Sequence, residues 1–189
     1  MITTLQDILV RTPEEFELLP EDGLWEVVEG RAILLPANDN EHQRVCVALL
    51  KAFFRGLEAL GYGEVLPSAN VFIPPPSPAW SKVQNRVPDL AVSKKPHKKR
   101  FEVGDPPELV IEILSTRRGS VERSEKLDDY ARAGIGEYWI VNPFDRNVEV
   151  YLRSGDDYVL RETAAAGPLR PEAFPGLEID LKPIWAALV

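Results

Sequence analysis

The sequence predicts a mixed α/β (α+β) fold: one mixed sheet flanked by two longer helices, with an N-terminal hairpin and a C-terminal strand meander. Three observations carry this. Apolar residues recur at helical spacing over residues 40–60, and a second helical stretch runs over 120–133. Short apolar, β-branched runs lie between and after them, bounded by Gly and Pro. The order helix, strands, helix, strands suits a sheet with both long helices packed on it.

Taken in order, Thr12-Pro13-Glu14-Glu15-Phe16 opens a short helix over 12–20, with Thr at the N-cap and Pro at the first position. Leu24–Val28 and Arg31–Leu35 flank Glu29-Gly30 as a hairpin. Asn40 with Gln43 resembles a capping box, and the helix it opens carries Cys46, Leu49, Leu50, Phe53, Leu57 and Leu60 as its apolar stripe. Gly61 and Gly63 end it. Val65–Ile73 reads as one strand, and Pro74-Pro75-Pro76-Ser77-Pro78 as an extended loop. Strands at 88–93 and 108–115 follow, then a turn at Arg117–Ser120. The second helix has Glu122 near its start, Arg132 near its end and Gly134 as its C-cap. Strands at 137–141, 148–153 and 158–162 form the meander, and the tail closes on a short helix or turn near Trp185.

At 189 residues, with 44% hydrophobic and 28% charged residues, the chain has the length and composition of one folded domain spanning residues 1–189. It has no apolar run near membrane-spanning length, so no membrane partner is expected, and its N-terminus does not read as a secretory signal. Cys46 is the only cysteine, which excludes an internal disulfide and suits a reducing cytoplasm. Its position on an apolar helix face marks it as a packing residue. A net charge of −8 argues against a general polyanion binder, so nucleic acid would have to meet a local basic patch or a metal ion. Lys94, Lys95, Lys98, Lys99 and Arg100 form such a patch, with a solvated loop as the alternative reading.

Glu112 is the most informative residue. It interrupts Leu109-Val110-Ile111-Glu112-Ile113-Leu114, a run apolar on both faces of a strand. A buried carboxylate costs several kcal/mol unless a cation, a metal or a donor meets it. Asp89, opening the preceding strand after Pro88, could bring a second carboxylate to the same place, and two convergent carboxylates suit a hard divalent cation.

Pro88-Asp89, Glu108-Leu109-Val110-Ile111-Glu112-Ile113-Leu114-Ser115 and the segment from Glu125-Lys126-Leu127-Asp128-Asp129-Tyr130 to Tyr138-Trp139-Ile140-Val141-Asn142-Pro143 together strongly resemble a bacterial branch of the PD-(D/E)XK superfamily. The branch is restriction-endonuclease-like and often labelled a domain of unknown function. The resemblance covers nearly the whole chain and is most specific from Leu109 to Pro143. It implies a restriction-endonuclease-like fold and an Mg²⁺- (or Mn²⁺-) dependent endonuclease hydrolysing nucleic acid, DNA first, with Asp89 and Glu112 as metal ligands. In that superfamily a lysine ordinarily lies two residues after the Glu. Here that position is Leu114, and Lys126 on the following helix takes the role instead. His42 falls where the family tends to carry a histidine and is expected to support the site. A homodimer follows by analogy, since a compact nuclease cuts both strands most simply as a pair.

Each residue has a structural alternative. Glu112 could pair with a helix cation, Asp89 could be a turn residue, and His42 a hydrogen-bonded core histidine. Lys126 could be the surface partner of Glu122 four residues earlier. Leu114 in the lysine slot and the net charge motivate a rival reading, a catalytically inactive nuclease-fold module that binds nucleic acid or protein. A second rival is a protein–protein component of a mobile-element or toxin-type system, docking through the sheet and the Pro74–Pro78 loop.

Overall fold

The structure is a computed structural model, and it describes residues 8–75, 83–115 and 120–188, with side chains from Glu125 onward in the second long helix. The expected turn at 117–120, the later part of the Pro74–Pro78 loop and the Glu122 side chain lie outside the described residues.

A short helix α1 (Pro13–Phe16) is capped by the Thr12 hydroxyl, which accepts from Glu15 N. It is shorter than the sequence suggests. Strands β1 (Trp25–Val28) and β2 (Arg31–Leu34) pair antiparallel around Glu29 and Gly30, both at positive φ, as a two-residue hairpin turn requires. Helix α2 (Asn40–Leu60) ends on Gly61, whose φ of 77° suits a residue without Cβ. Its N-cap is Asp39, not Asn40: the Asp39 carboxylate accepts from His42 N at 2.9 Å. Either Asx residue can cap, and the one placed a residue earlier has the reach.

Strands β3 (Glu64–Pro67), β4 (Val71–Phe72), β5 (Asn85–Arg86), β6 (Leu90–Ser93) and β7 (Leu109–Ile113) follow. The single strand expected over Val65–Ile73 is split at Ser68, whose φ of 50° turns the chain out of one sheet and into another. Helix α3 (Ser120–Ala133) crosses over to β8 (Glu137–Asn142). Strands β9 (Asn147–Ser154) and β10 (Asp157–Ala164) complete the meander, β11 (Pro168–Leu169) pairs with β12 (Ile179–Asp180), and α4 (Leu181–Ala186) closes the chain.

The main sheet runs β10-β9-β8-β7-β6-β3, and a smaller one runs β2-β1-β5-β4. β7 and β8 pair parallel, the geometry a helical crossover permits. β7 is buried along its whole length. Its Leu109, Ile111 and Ile113 pack with Val45, Leu49, Phe53 and Leu57 of α2, while Val110 packs with Tyr130 and Ala133 of α3. Burying each such side chain stabilises by roughly 1.5–3 kcal/mol, which fixes both helices across the sheet. Val45, rather than Cys46, carries the fully buried stripe of α2; Cys46 is half-buried at its margin, and burial pushes its thiol up to about 11. No helix among the described residues is long and apolar enough to cross a membrane. The mixed sheet, its two long helices and the strand-rich C-terminal region are the architecture that the sequence predicts.

Candidate metal and nucleic-acid site

The site lies at the end of β7. β6 and β7 pair antiparallel with Leu90 opposite Ile111, so one further step sets Asp89 opposite Glu112. The Asp89 carboxylate caps the strand: Ile113 N donates to Oδ2 at 2.7 Å, and His42 Nε2 from α2 meets the same oxygen at 3.1 Å. Burial opposes a charge on His42, but the Asp89 carboxylate, with Asp39 and Glu112 nearby, holds it above its ordinary value. His42 is thus a buried histidine tied to the candidate site.

Glu112 points to α3, as strand alternation from Val110 requires. Lys126 Nζ lies 3.1 Å from its Oε1, and the Tyr130 hydroxyl donates to that oxygen at 2.6 Å. Four residues apart, Lys126 and Tyr130 share one helix face. Burial pushes the Glu112 carboxyl up to about 7; Lys126 offsets part of this, while Asp89 and Glu26 add to it. Burial, with the Glu112 charge beside it, holds the Tyr130 phenol far above its usual value, so it stays a donor.

Lys126 is itself buried. Its ammonium also lies 3.6 Å from Glu26 Oε1 on β1. Glu26 accepts from Arg86 Nη1 at 3.0 Å and from Val87 N at 3.1 Å. Arg86 Nε donates to Asp129 at 2.7 Å, and the Gln84 amide to Asp129 at 2.6 Å. Burial works against the Arg86 charge, yet the Glu26 and Asp129 carboxylates outweigh it and hold the guanidinium above its ordinary value. Sequence reasoning assigns no role to Tyr130, Glu26, Arg86 or Asp129. The one clue at hand was the three-residue spacing of Lys126 and Asp129, which puts both on one helix face.

The basic loop stands apart from this cluster. At about 3.3 Å per residue, Lys94 lies roughly 16 Å along β6 from Asp89. Lys95 pairs with Asp105 at 2.7 Å, Lys99 and Arg100 both pair with Glu17, and Arg100 also lies over the Phe72 ring. Only Lys94 and Lys98 of the five lack an ion-pair partner among the described residues. A different set of cations, Arg44, Lys51 and Arg55, is exposed on α2 and has no carboxylate partner among the described residues. They line a groove of about 730 Å³ against Pro183 and Ala187, with no acidic residue in its walls.

The donor set bears on a metal. With both donors on Glu112 Oε1, Glu112 Oε2 and Asp89 Oδ1 carry no hydrogen bond among the described residues. No group of three or more His, Cys, Asp or Glu that could cage an ion occurs among those residues. Carboxylate oxygens are the hard donors that Mg²⁺ takes, one or two at a time beside several waters.

Residues 13–182 match the family described as "Uma2: Putative restriction endonuclease", and the chain belongs to that family. Among solved structures, it is similar to a "putative nuclease belonging to DUF820" from Anabaena variabilis ATCC 29413. The TM-score is 0.68 at 17% identity, covering 93% of this chain and 98% of that one. At that identity the likeness is one of fold. No curated protein matches the chain.

Proposed function

From that membership and this geometry, we propose that the protein is a metal-dependent nuclease that hydrolyses phosphodiester bonds of nucleic acid, DNA first. The observation that supports the reading is Lys126 at 3.1 Å from the buried Glu112, whose carboxyl the Asp89 charge helps to raise. Asp89 Oδ1 and Glu112 Oε2 would hold Mg²⁺ or Mn²⁺, which supplies charge stabilisation at the phosphoryl oxygens and makes hydroxide accessible near neutral pH.

The chain's own residues do the rest. Ile113 N and His42 fix the Asp89 carboxylate through Oδ2, which turns Oδ1 outward as a ligand. Tyr130 fixes Glu112 in the same way. The Lys126 ammonium is a preorganised positive charge beside the scissile phosphate, and it stabilises the negative charge that builds on the phosphoryl oxygens during attack. Lys126 thereby takes the part that Leu114 cannot. The protein acts as one domain, and as a pair of copies where both strands are cut.

Leu114 favours a second reading, a nuclease-fold module that binds without turnover. Incubating supercoiled DNA with the protein and Mg²⁺ or Mn²⁺, beside an Asp89→Asn control, separates the two. Nicking or linearisation by the wild type alone is the expected result. Mn²⁺ binding lost in Asp89→Asn, with no cleavage of DNA or RNA by either protein, would leave the binding module.

A further inference from the structure

Among the described residues, the Lys126 ammonium has the buried carboxylates Glu112 at 3.1 Å and Glu26 at 3.6 Å within ion-pair reach. They arrive from different sheets: Glu112 from β7 in the main sheet, Glu26 from β1 in the smaller one. Glu26 cannot follow a moving lysine, because Arg86 holds Oε2 and Val87 N holds Oε1. Arg86 in turn holds Asp129, one turn beyond Lys126, and so pins this face of α3 to the smaller sheet.

We propose that Glu26 is a positioning residue for Lys126, holding the ammonium at the site when a divalent cation draws on the Glu112 charge. This rests on the reading of Asp89 and Glu112 as cation ligands. A cation at Glu112 neutralises the carboxylate that attracts Lys126 and repels the ammonium itself. At a few ångströms in a buried site, both effects are large. Without Glu26, the pull of Glu112 on Lys126 would compete more strongly with the cation. Glu26 removes that competition by offering a fixed carboxylate within reach of the same ammonium. Satisfying Arg86 does not by itself account for Glu26, since Arg86 already has Asp129, and the Glu26 oxygen facing Lys126 is not the one bonded to Arg86.

The test is Mn²⁺ affinity measured by calorimetry on the full chain, without any cleavage readout, for wild type, Glu26→Gln, Lys126→Ala and the double variant. Glu26→Gln should weaken Mn²⁺ binding about tenfold to a hundredfold, the usual effect of losing a group that supports a ligand. The same change in the Lys126→Ala background should leave affinity unaltered within about twofold, because no ammonium remains to compete. An equal loss in both backgrounds, or no loss in either, overturns the inference. Glu26→Asp keeps a charge beside Arg86 while drawing back from Lys126, and it should show the same dependence on Lys126 where the Gln variant does not fold. Failure of both Glu26 variants to fold, with Lys126→Ala intact, would make Glu26 structural and overturn the inference too. A wild type that binds no Mn²⁺ removes the cation reading of Asp89 and Glu112 and this inference with it; a wild type that binds, with an equally tight Glu26→Gln, removes this inference alone.

Discussion

Lys126 reaches from α3 to within 3.1 Å of Glu112 on β7, although the strand position two residues beyond Glu112 is a leucine. A cation can therefore stand beside the central carboxylate without coming from the same strand. The helix after the strand brings it back over the same face.

Lys126→Ala should lower turnover by about two to three orders of magnitude, the effect of removing one preorganised charge from a developing oxyanion. Single-turnover cleavage at saturating protein measures it. A surface pair with Glu122 would instead cost at most about 0.5 kcal/mol of stability and leave turnover unchanged. Burial of Lys126 favours the first outcome.

Glu112→Gln should abolish cleavage while the fold stays intact or gains stability. Desolvation raises the buried carboxyl, so ionising it costs more in the folded protein than in the unfolded chain, and a neutral isostere removes that cost. The Gln carbonyl can still accept from Tyr130 and Lys126. Urea denaturation beside a cleavage assay decides. Collapse of the fold would mean that Glu112 serves as a structural ion pair.

Residues close in sequence made the fold legible. The stripe of α2, the Glu29-Gly30 turn, α3 with Gly134 behind it, and the β8–β10 meander all follow from periodicity and local turn chemistry. Glu112 was legible as a lone carboxylate in an apolar strand. The Glu26–Arg86–Asp129 cluster was not, because Arg86 lies 60 residues from Glu26 and 43 from Asp129, and β5 is only Asn85–Arg86. No local pattern marks so short a strand. The ion pairs of the basic loop were hidden for the same reason: Glu17, which pairs with Lys99 and Arg100, lies 82 and 83 residues away.

Arg86→Ala should destabilise the protein by about 3 kcal/mol, because it takes from the buried Glu26 and Asp129 the cation they share and leaves them Lys126 and Arg132. Chemical denaturation measures the loss. Arg86→Met in a background with Glu26 and Asp129 both neutralised should recover much of it, since the cost lies in buried carboxylates that have lost a cation. A loss below about 1 kcal/mol for Arg86→Ala would mean that water reaches the cluster.

Glu137 gives a pH dependence away from the site. Burial raises its carboxyl above 4.5, although Trp139 Nε1 and Glu172 N donate to it and Arg161 lies near. The folded state then holds a proton that the unfolded state has released. Glu137 therefore costs stability as pH rises above 4.5 through the folded value, and the cost vanishes below 4.5, where both states are protonated. The stability of wild type relative to Glu137→Gln should rise as pH falls from 7 toward 4.5. A flat or opposite difference between the two denaturation profiles would show that this carboxyl is not raised.

The two groups of cations differ in what they can give a polyanion. Asp105 stands beside Lys95, and Glu17 beside Lys99 and Arg100, so these carboxylates offset much of the attraction for a polyanion. Arg44, Lys51 and Arg55 give up nothing. Over about 16 Å of helix at 1.5 Å per residue, they form a track with no acid between its walls. Neutralising those three should weaken nucleic-acid binding and flatten its salt dependence by about one unit of logarithmic slope for each phosphate no longer neutralised. Neutralising Lys94, Lys95, Lys98, Lys99 and Arg100 should remove no more than the share of Lys94 and Lys98, despite the larger change in formal charge. Binding to a labelled duplex across a salt series, with Asp89→Asn in both backgrounds to prevent cleavage, separates them. A steeper loss from the loop set than from the α2 set would return nucleic-acid binding to the loop and leave the α2 groove to another partner.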